Sequence, residues 1–157
     1  MTKKADYTND EWELLCGGPL LAGLGVSLLD PGLISGLKEI AAVAHAAEEA
    51  KTAYTENELI QAVIAELEAK GDESKQIPEG STSEIVLEKL VKIDSILDKK
   101  TPEAEGIGYR NFLYQLADRA ANASGGFLGL GEKVSEEEAF YLNKLKEILF
   151  RAERPTS

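Results

Sequence analysis

One cysteine, one histidine, one methionine and one tryptophan occur in 157 residues. The lone Cys16 excludes an internal disulfide and any cysteine-rich metal site. Set between Leu15 and Gly17 in an apolar stretch, it reads as a buried, inert thiol. The lone His45 leaves too little for a Ser-His-Asp triad or a histidine metal cage. Among Ala41, Ala42, Ala44, Ala46 and Ala47 it reads as a packing or surface residue. Positive charge is also scarce, with 17 basic residues against 28 acidic ones and a net charge of −11. Such a surface repels phosphate backbones, so no nucleic-acid partner is expected.

Long hydrophobic runs are missing too. Leu14 to Leu29 is uncharged for 16 residues, about 24 Å of helix. A bilayer span needs about 20 residues, and Gly17, Gly18, Pro19 and Gly23 interrupt this one. It is predicted to be a buried core helix, with no transmembrane segment. The first residues, MTKKADYTND, pass from lysines to acids without a signal-peptide core, so a cytoplasmic location is expected. No run of β-branched alternation suggests a strand.

What is present is helix punctuation. Ser or Thr precedes Glu by three residues at Thr8–Glu11, Thr55–Glu58, Ser81–Glu84 and Ser135–Glu138, each a possible capping box. Asp30–Pro31 and Thr101–Pro102 add two starts with proline at the first helical position. Apolar residues then recur at three and four: Tyr109, Phe112, Leu113, Leu116, Ala117 and Ala120 in one segment, Val86, Leu90, Ile93 and Leu97 in another. Leu142, Leu145 and Leu149, flanked by Tyr141 and Ile148, mark the last. That helix opens on Glu136, Glu137 and Glu138 and ends near Lys144, Lys146 and Arg151, opposing the macrodipole at both ends. Residues 38–51 are alanine-rich, predicting a thin helix that neighbours approach closely.

The predicted fold is all-α: one compact bundle of six to seven helices spanning residues 1–157 as a single domain. Residues 71–83, GDESKQIPEGSTS, form a polar linker between two three-helix halves. Either half alone leaves an apolar stripe uncovered, so two domains are not expected. Residues 1–6 and 152–157 are predicted to fray. The chain is long enough to bury roughly two thirds of its unfolded surface.

The glycine-rich stretch 123–138, ASGGFLGLGEKVSEEE, needs separate treatment. Gly126 to Gly131 has phosphate-loop spacing, but Glu132-Lys133-Val134-Ser135 follows where Lys and then Ser or Thr are required. The stretch reads instead as the end of a fifth helix, with Gly125 or Gly126 in the left-handed cap position and Ser135 opening the next. Phe127, Leu128 and Leu130 then either tuck into the core or form an interaction patch beside Trp12 and Leu20. Glu48–Glu49 and Glu136–Glu138 read as solvated faces and helix-start charges, not as a catalytic pair. An EF-hand is excluded because its alternating oxygen ligands are absent.

Two helix junctions share a pattern. Asp30, Gly32, Ile34, Ser35 and Glu39 form one copy; Gly131, Val134, Ser135 and Glu138 form a second, in which Gly129-Leu130 replaces the acid before the glycine. The first resembles the helix junction of the TerB-like (tellurite-resistance-associated) helical proteins, over about a quarter of the chain. The resemblance implies an all-α bacterial, cytoplasmic domain, linked to stress or envelope systems and without a catalytic role. It also raises divalent-metal binding by acidic residues, such as Asp30, Glu39 and Glu138. The missing acid at the second junction, and the ability of capping and dipole effects to explain all three acids, lead to the expectation of no metal and no cofactor. The expected function is therefore a non-enzymatic binding or adaptor domain that meets another protein through its apolar patch. The alternative is a small-molecule or divalent-metal binder using the crevice between the Gly32 and Gly131 junctions.

Overall fold

The computed structural model describes residues 2–28, 35–71, 80–125 and 136–150. Six helices fill them: α1 (Asn9–Ser27), α2 (Ser35–Ala53), α3 (Glu58–Lys70), α4 (Ser83–Lys100), α5 (Glu103–Gly125) and α6 (Glu136–Leu149). A single 3-10 turn, Lys4–Asp6, precedes them, and there is no strand among the described residues. The all-α expectation holds.

The caps follow local chemistry, with the register adjusted by the tertiary setting. Thr8 and Glu11 form the expected reciprocal box: the Glu11 N–H donates to Thr8 Oγ1 at 3.2 Å, and the Thr8 N–H to Glu11 Oε2 at 2.8 Å. The Thr55–Glu58 box does not form. Asn57 caps α3 instead, its Oδ1 accepting from the Ile60 N–H at 3.0 Å while its amide donates to the Glu105 carbonyl, also at 3.0 Å. Asparagine has both a donor and an acceptor to offer, whereas threonine at 55 lies in the preceding turn. The Ser81–Glu84 start is likewise corrected by one residue, since Thr82 Oγ1 accepts from the Ile85 N–H at 3.2 Å. Pro102 is not the first residue of α5 but precedes it, its carbonyl accepting from the Gly106 N–H. Asp30–Pro31, Ser135 and most of the 71–83 linker lie outside the described residues, as does the 152–157 tail.

The periodic faces all turn inward. Tyr109, Phe112, Leu113, Leu116, Ala117 and Ala120 of α5 are buried, as are Val86, Leu90, Ile93 and Leu97 of α4 and Tyr141, Leu142, Leu145 and Leu149 of α6. Each large side chain among them contributes about 1.5–3 kcal/mol of transfer free energy. The most extensive contacts cross between the halves, α2 and α1 each packing along α5, and α1 along α4. The alanine-rich α2 meets α5 through buried Ala46 and Ala50, in keeping with its thin profile.

α1 is the axis of the bundle and touches each of the other five helices. Its first turns carry the exposed Asp10 and Glu13, whereas from Leu14 onward it is uncharged and mostly buried. Its glycines admit neighbours that a Cβ would exclude. Gly18 lies under the hydroxyl of Tyr109, Gly23 under Val43, and Gly25 under the ring of Tyr141. Pro19, inside the helix, has no N–H for the Leu15 carbonyl four residues earlier. The Tyr109 hydroxyl donates to that carbonyl instead, reaching across from α5. Cys16 is buried on the same helix, and desolvation pushes its thiol up to about 12. The inert-thiol reading agrees with both facts.

In the N-terminal segment Thr2 is buried, the Lys3 N–H donates to Asp6 Oδ2 at 2.8 Å, and Lys4 pairs with Glu66 of α3 at 3.4 Å. Tyr7 anchors the turn, its hydroxyl sharing a 2.7 Å hydrogen bond with Thr101 Oγ1.

Candidate functional site

Where α1, α2 and α3 meet, small residues leave a gap. Ala44 and Ala47 of α2 stand opposite Pro19 and Leu20 of α1, with Ile64 and Leu67 of α3 closing the third side. The cavity has a volume of about 290 Å³, at the lower edge of small-molecule pockets. Gly71 forms its end, at φ +57°, where the chain leaves α3 in a conformation that a side chain disfavours. The Gly71 N–H donates back to the Leu67 carbonyl and so fixes that lip.

Charge is confined to the mouth. Lys51 Nζ lies 2.9 Å from Glu48 Oε2, one turn earlier on α2, and also pairs with Glu68 of α3. Hydrogen bonds to Glu68 and Glu48 raise the Lys51 pKa, so the ammonium stays charged. Its half-buried stem runs along the apolar wall while the head remains at the surface. Apolar walls with an ion-paired rim suit the holding of an apolar body. They offer no nucleophile and no proton-transfer pair.

Of the anticipated patch, only Trp12 and Leu20 lie among the described residues. Trp12 is 3% exposed and packs against Tyr7 with ring centroids 5.9 Å apart, so it belongs to the core. Leu20 is half-buried and lines the cavity. Phe127, Leu128 and Leu130 lie outside the described residues. The exposed large apolar side chains are instead Phe140 at 63%, Ile107, Val91 and Ile85, on three different helices.

Of the metal candidates, only the Glu138 side chain lies among the described residues. Asp30 lies outside the described residues, and so does the Glu39 side chain. Glu138 is buried at the start of α6. Among the described residues no three His, Cys, Asp or Glu side chains come together as a cation site. His45 is exposed on α2, with Nε2 3.1 Å from Glu49 Oε1, which settles it as a surface residue. Glu49 also pairs with Arg119, and this guanidinium lowers its pKa. The crevice between the two glycine junctions, 29–34 and 126–135, lies outside the described residues. The helix ends that flank them do share one pole, since Val43 and Ala120 close on Gly23 and the Tyr141 hydroxyl reaches the Ala22 carbonyl at 3.2 Å.

Two other features were weighed. A cavity of about 80 Å³ lies between α2 and α5, beside Tyr54, Phe112 and Leu116. It is too small for an organic ligand of more than a few atoms. At the opposite pole the Glu105 carboxyl is half-buried, and desolvation, reinforced by the nearby Glu58 charge, raises its pKa. N–H groups of Glu58 and Thr2 donate to it, and Oε2 has no partner among the described residues.

Sequence reasoning named Leu20 but missed the site around it. The signal was available in Ala44, Ala47 and Lys51 on one stripe of α2, and in Ile64, Leu67 and Gly71 on one stripe of α3. Those stripes read equally well as close helix contacts, and only the geometry tells a contact from a gap. Compared with family models, curated proteins and solved structures, the chain matches none of them.

Proposed function

We propose that this chain is a non-enzymatic binding domain that takes a small apolar molecule into the cavity between α1, α2 and α3. The observation that carries the reading is a gap of about 290 Å³ with aliphatic walls and charge only at its mouth. A bacterial and cytoplasmic setting is proposed from the TerB-like resemblance of Asp30 to Glu39.

The test is a methyl-detected NMR titration with small neutral apolar compounds such as cyclohexanol. The expected outcome is saturable shifts at Leu20, Val43, Ile64 and Leu67, abolished in Ala47→Phe. Methyl signals that stay in place at millimolar ligand would sink the reading.

A protein-adaptor role keeps one observation in its favour, Phe140 standing 63% exposed on α6. If Phe140→Ser leaves the melting temperature unchanged but abolishes capture of a host protein, the adaptor role moves ahead.

A further inference from the structure

Resting on the cavity reading above, we infer that the preferred occupant is a small apolar amine, bound as its ammonium, with its hydrocarbon body between Leu20, Ala47 and Leu67 and its charged end between Glu48 and Glu68. The volume, about 290 Å³, lies at the lower edge of small-molecule pockets and suits a small body such as a six-membered ring with a short substituent. The walls are apolar throughout and set no preference among such bodies. The mouth does.

Among the described residues three charged groups line the opening, and they do not balance. Lys51 pairs with both Glu48 and Glu68, so two carboxylates share one ammonium and the rim keeps one unit of negative charge. An entering carboxylate faces both acids and must detach Lys51 from them. An entering ammonium is received by the acids, while the flexible Lys51 stem lets its head move outward. The chain's net charge of −11 acts in the same direction at longer range. Glu48 and Glu68 side chains are 70% and 54% exposed, which keeps the preference modest. Exposed pairs of this kind are worth about a twofold to fivefold change in affinity, and salt reduces it.

The experiment compares three probes of one shape, cyclohexylmethylamine, cyclohexylmethanol and cyclohexanecarboxylate, by methyl NMR on the full chain at low and high salt. Dissociation constants on the order of 1 mM are expected for ligands of this size. The amine should bind two to five times more tightly than the alcohol at low salt, the carboxylate most weakly, and the order should flatten at 0.5 M salt, a condition chosen to screen it. Glu48→Gln with Glu68→Gln should erase the amine's advantage and leave the alcohol unchanged.

Equal binding of amine and alcohol at both salt levels would overturn the inference and leave the cavity reading standing. So would tighter binding of the carboxylate. No shift with any probe would overturn both. Ala44→Leu, at an exposed position on the lip, narrows the opening without touching the core. If it leaves all three titrations unaltered, the probes bind elsewhere and both readings fail.

Discussion

Two tyrosines reach the same helix in the same manner, yet they meet different needs. Tyr109 of α5 lies over Gly18 and donates to the Leu15 carbonyl; Tyr141 of α6 lies over Gly25 and donates to the Ala22 carbonyl. Both are fully buried, and desolvation raises both phenol pKa values. The difference is Pro19. It deprives the Leu15 carbonyl of its helical donor, so the Tyr109 hydroxyl is that carbonyl's replacement partner. Ala22 has Val26 four residues on, a residue with an N–H, so Tyr141 adds a second bond to an acceptor already served. A glycine in each socket is a steric requirement. A hydroxyl in each is needed only where the backbone has lost its own donor.

The steric half of that comparison carries the largest expected effect. Gly25→Ala sets a methyl against the Tyr141 ring, with Cε2 only 2.8 Å away. Even after the helix-propensity gain of alanine, a loss of about 2–3 kcal/mol is expected in denaturant unfolding. Adding Tyr141→Phe should not restore it, because ring atoms and not only the hydroxyl collide. At Gly18 the collision is mainly with the Tyr109 hydroxyl, so Gly18→Ala should be partly relieved by Tyr109→Phe. Equal behaviour of the two double variants would break the distinction between the sockets.

Next comes the hydroxyl itself. Tyr109→Phe leaves the buried Leu15 carbonyl without a donor and should cost about 2 kcal/mol. Tyr141→Phe removes a bond to an acceptor that retains one and should cost about 0.5 kcal/mol. Matched losses in the two unfolding curves would mean that Pro19 does not set the demand. The thermal melts of both variants should stay cooperative, since neither leaves a cavity.

The smallest effect lies at the start of α5, one helical turn before Tyr109. Folding raises the Glu105 pKa, so the protonated carboxyl is the form that the fold favours. Its contribution is fully present below its ordinary value of 4.5 and is lost as pH rises through the raised folded value. Glu105→Gln should therefore raise the melting temperature at pH 7 by about 1 °C, and match the parent chain near pH 4. A lower melting temperature at pH 7 would show that the charge is used in place.

How much of this was legible beforehand depends on the range of the interaction. The buried faces of α4, α5 and α6 were read residue by residue, because three-and-four spacing is a property of neighbours along the chain. The Thr8–Glu11 box was read for the same reason. The cap at Asn57 was not, since its amide is drawn to the Glu105 carbonyl 48 positions away. Trp12 was placed in a surface patch because a solitary tryptophan near an apolar run gives no sign of which ring will cover it. The cavity was invisible for a related reason: alanine, leucine and isoleucine stripes look alike whether the facing helix fills the space or leaves a hole.

By itself, then, the order of residues determined the helices, their inward faces and the net negative charge. Each of these follows from spacing, capping or net charge, which are local or additive. The tertiary structure alone decided the rest. It brought Tyr109 to the carbonyl that Pro19 leaves open, across 94 positions of chain. It folded Tyr7 over Trp12, and it left a gap between α1, α2 and α3 with two acids and one lysine at its edge. Packing is a matter of which surfaces meet and at what distance, and no short-range rule along the chain carries that information.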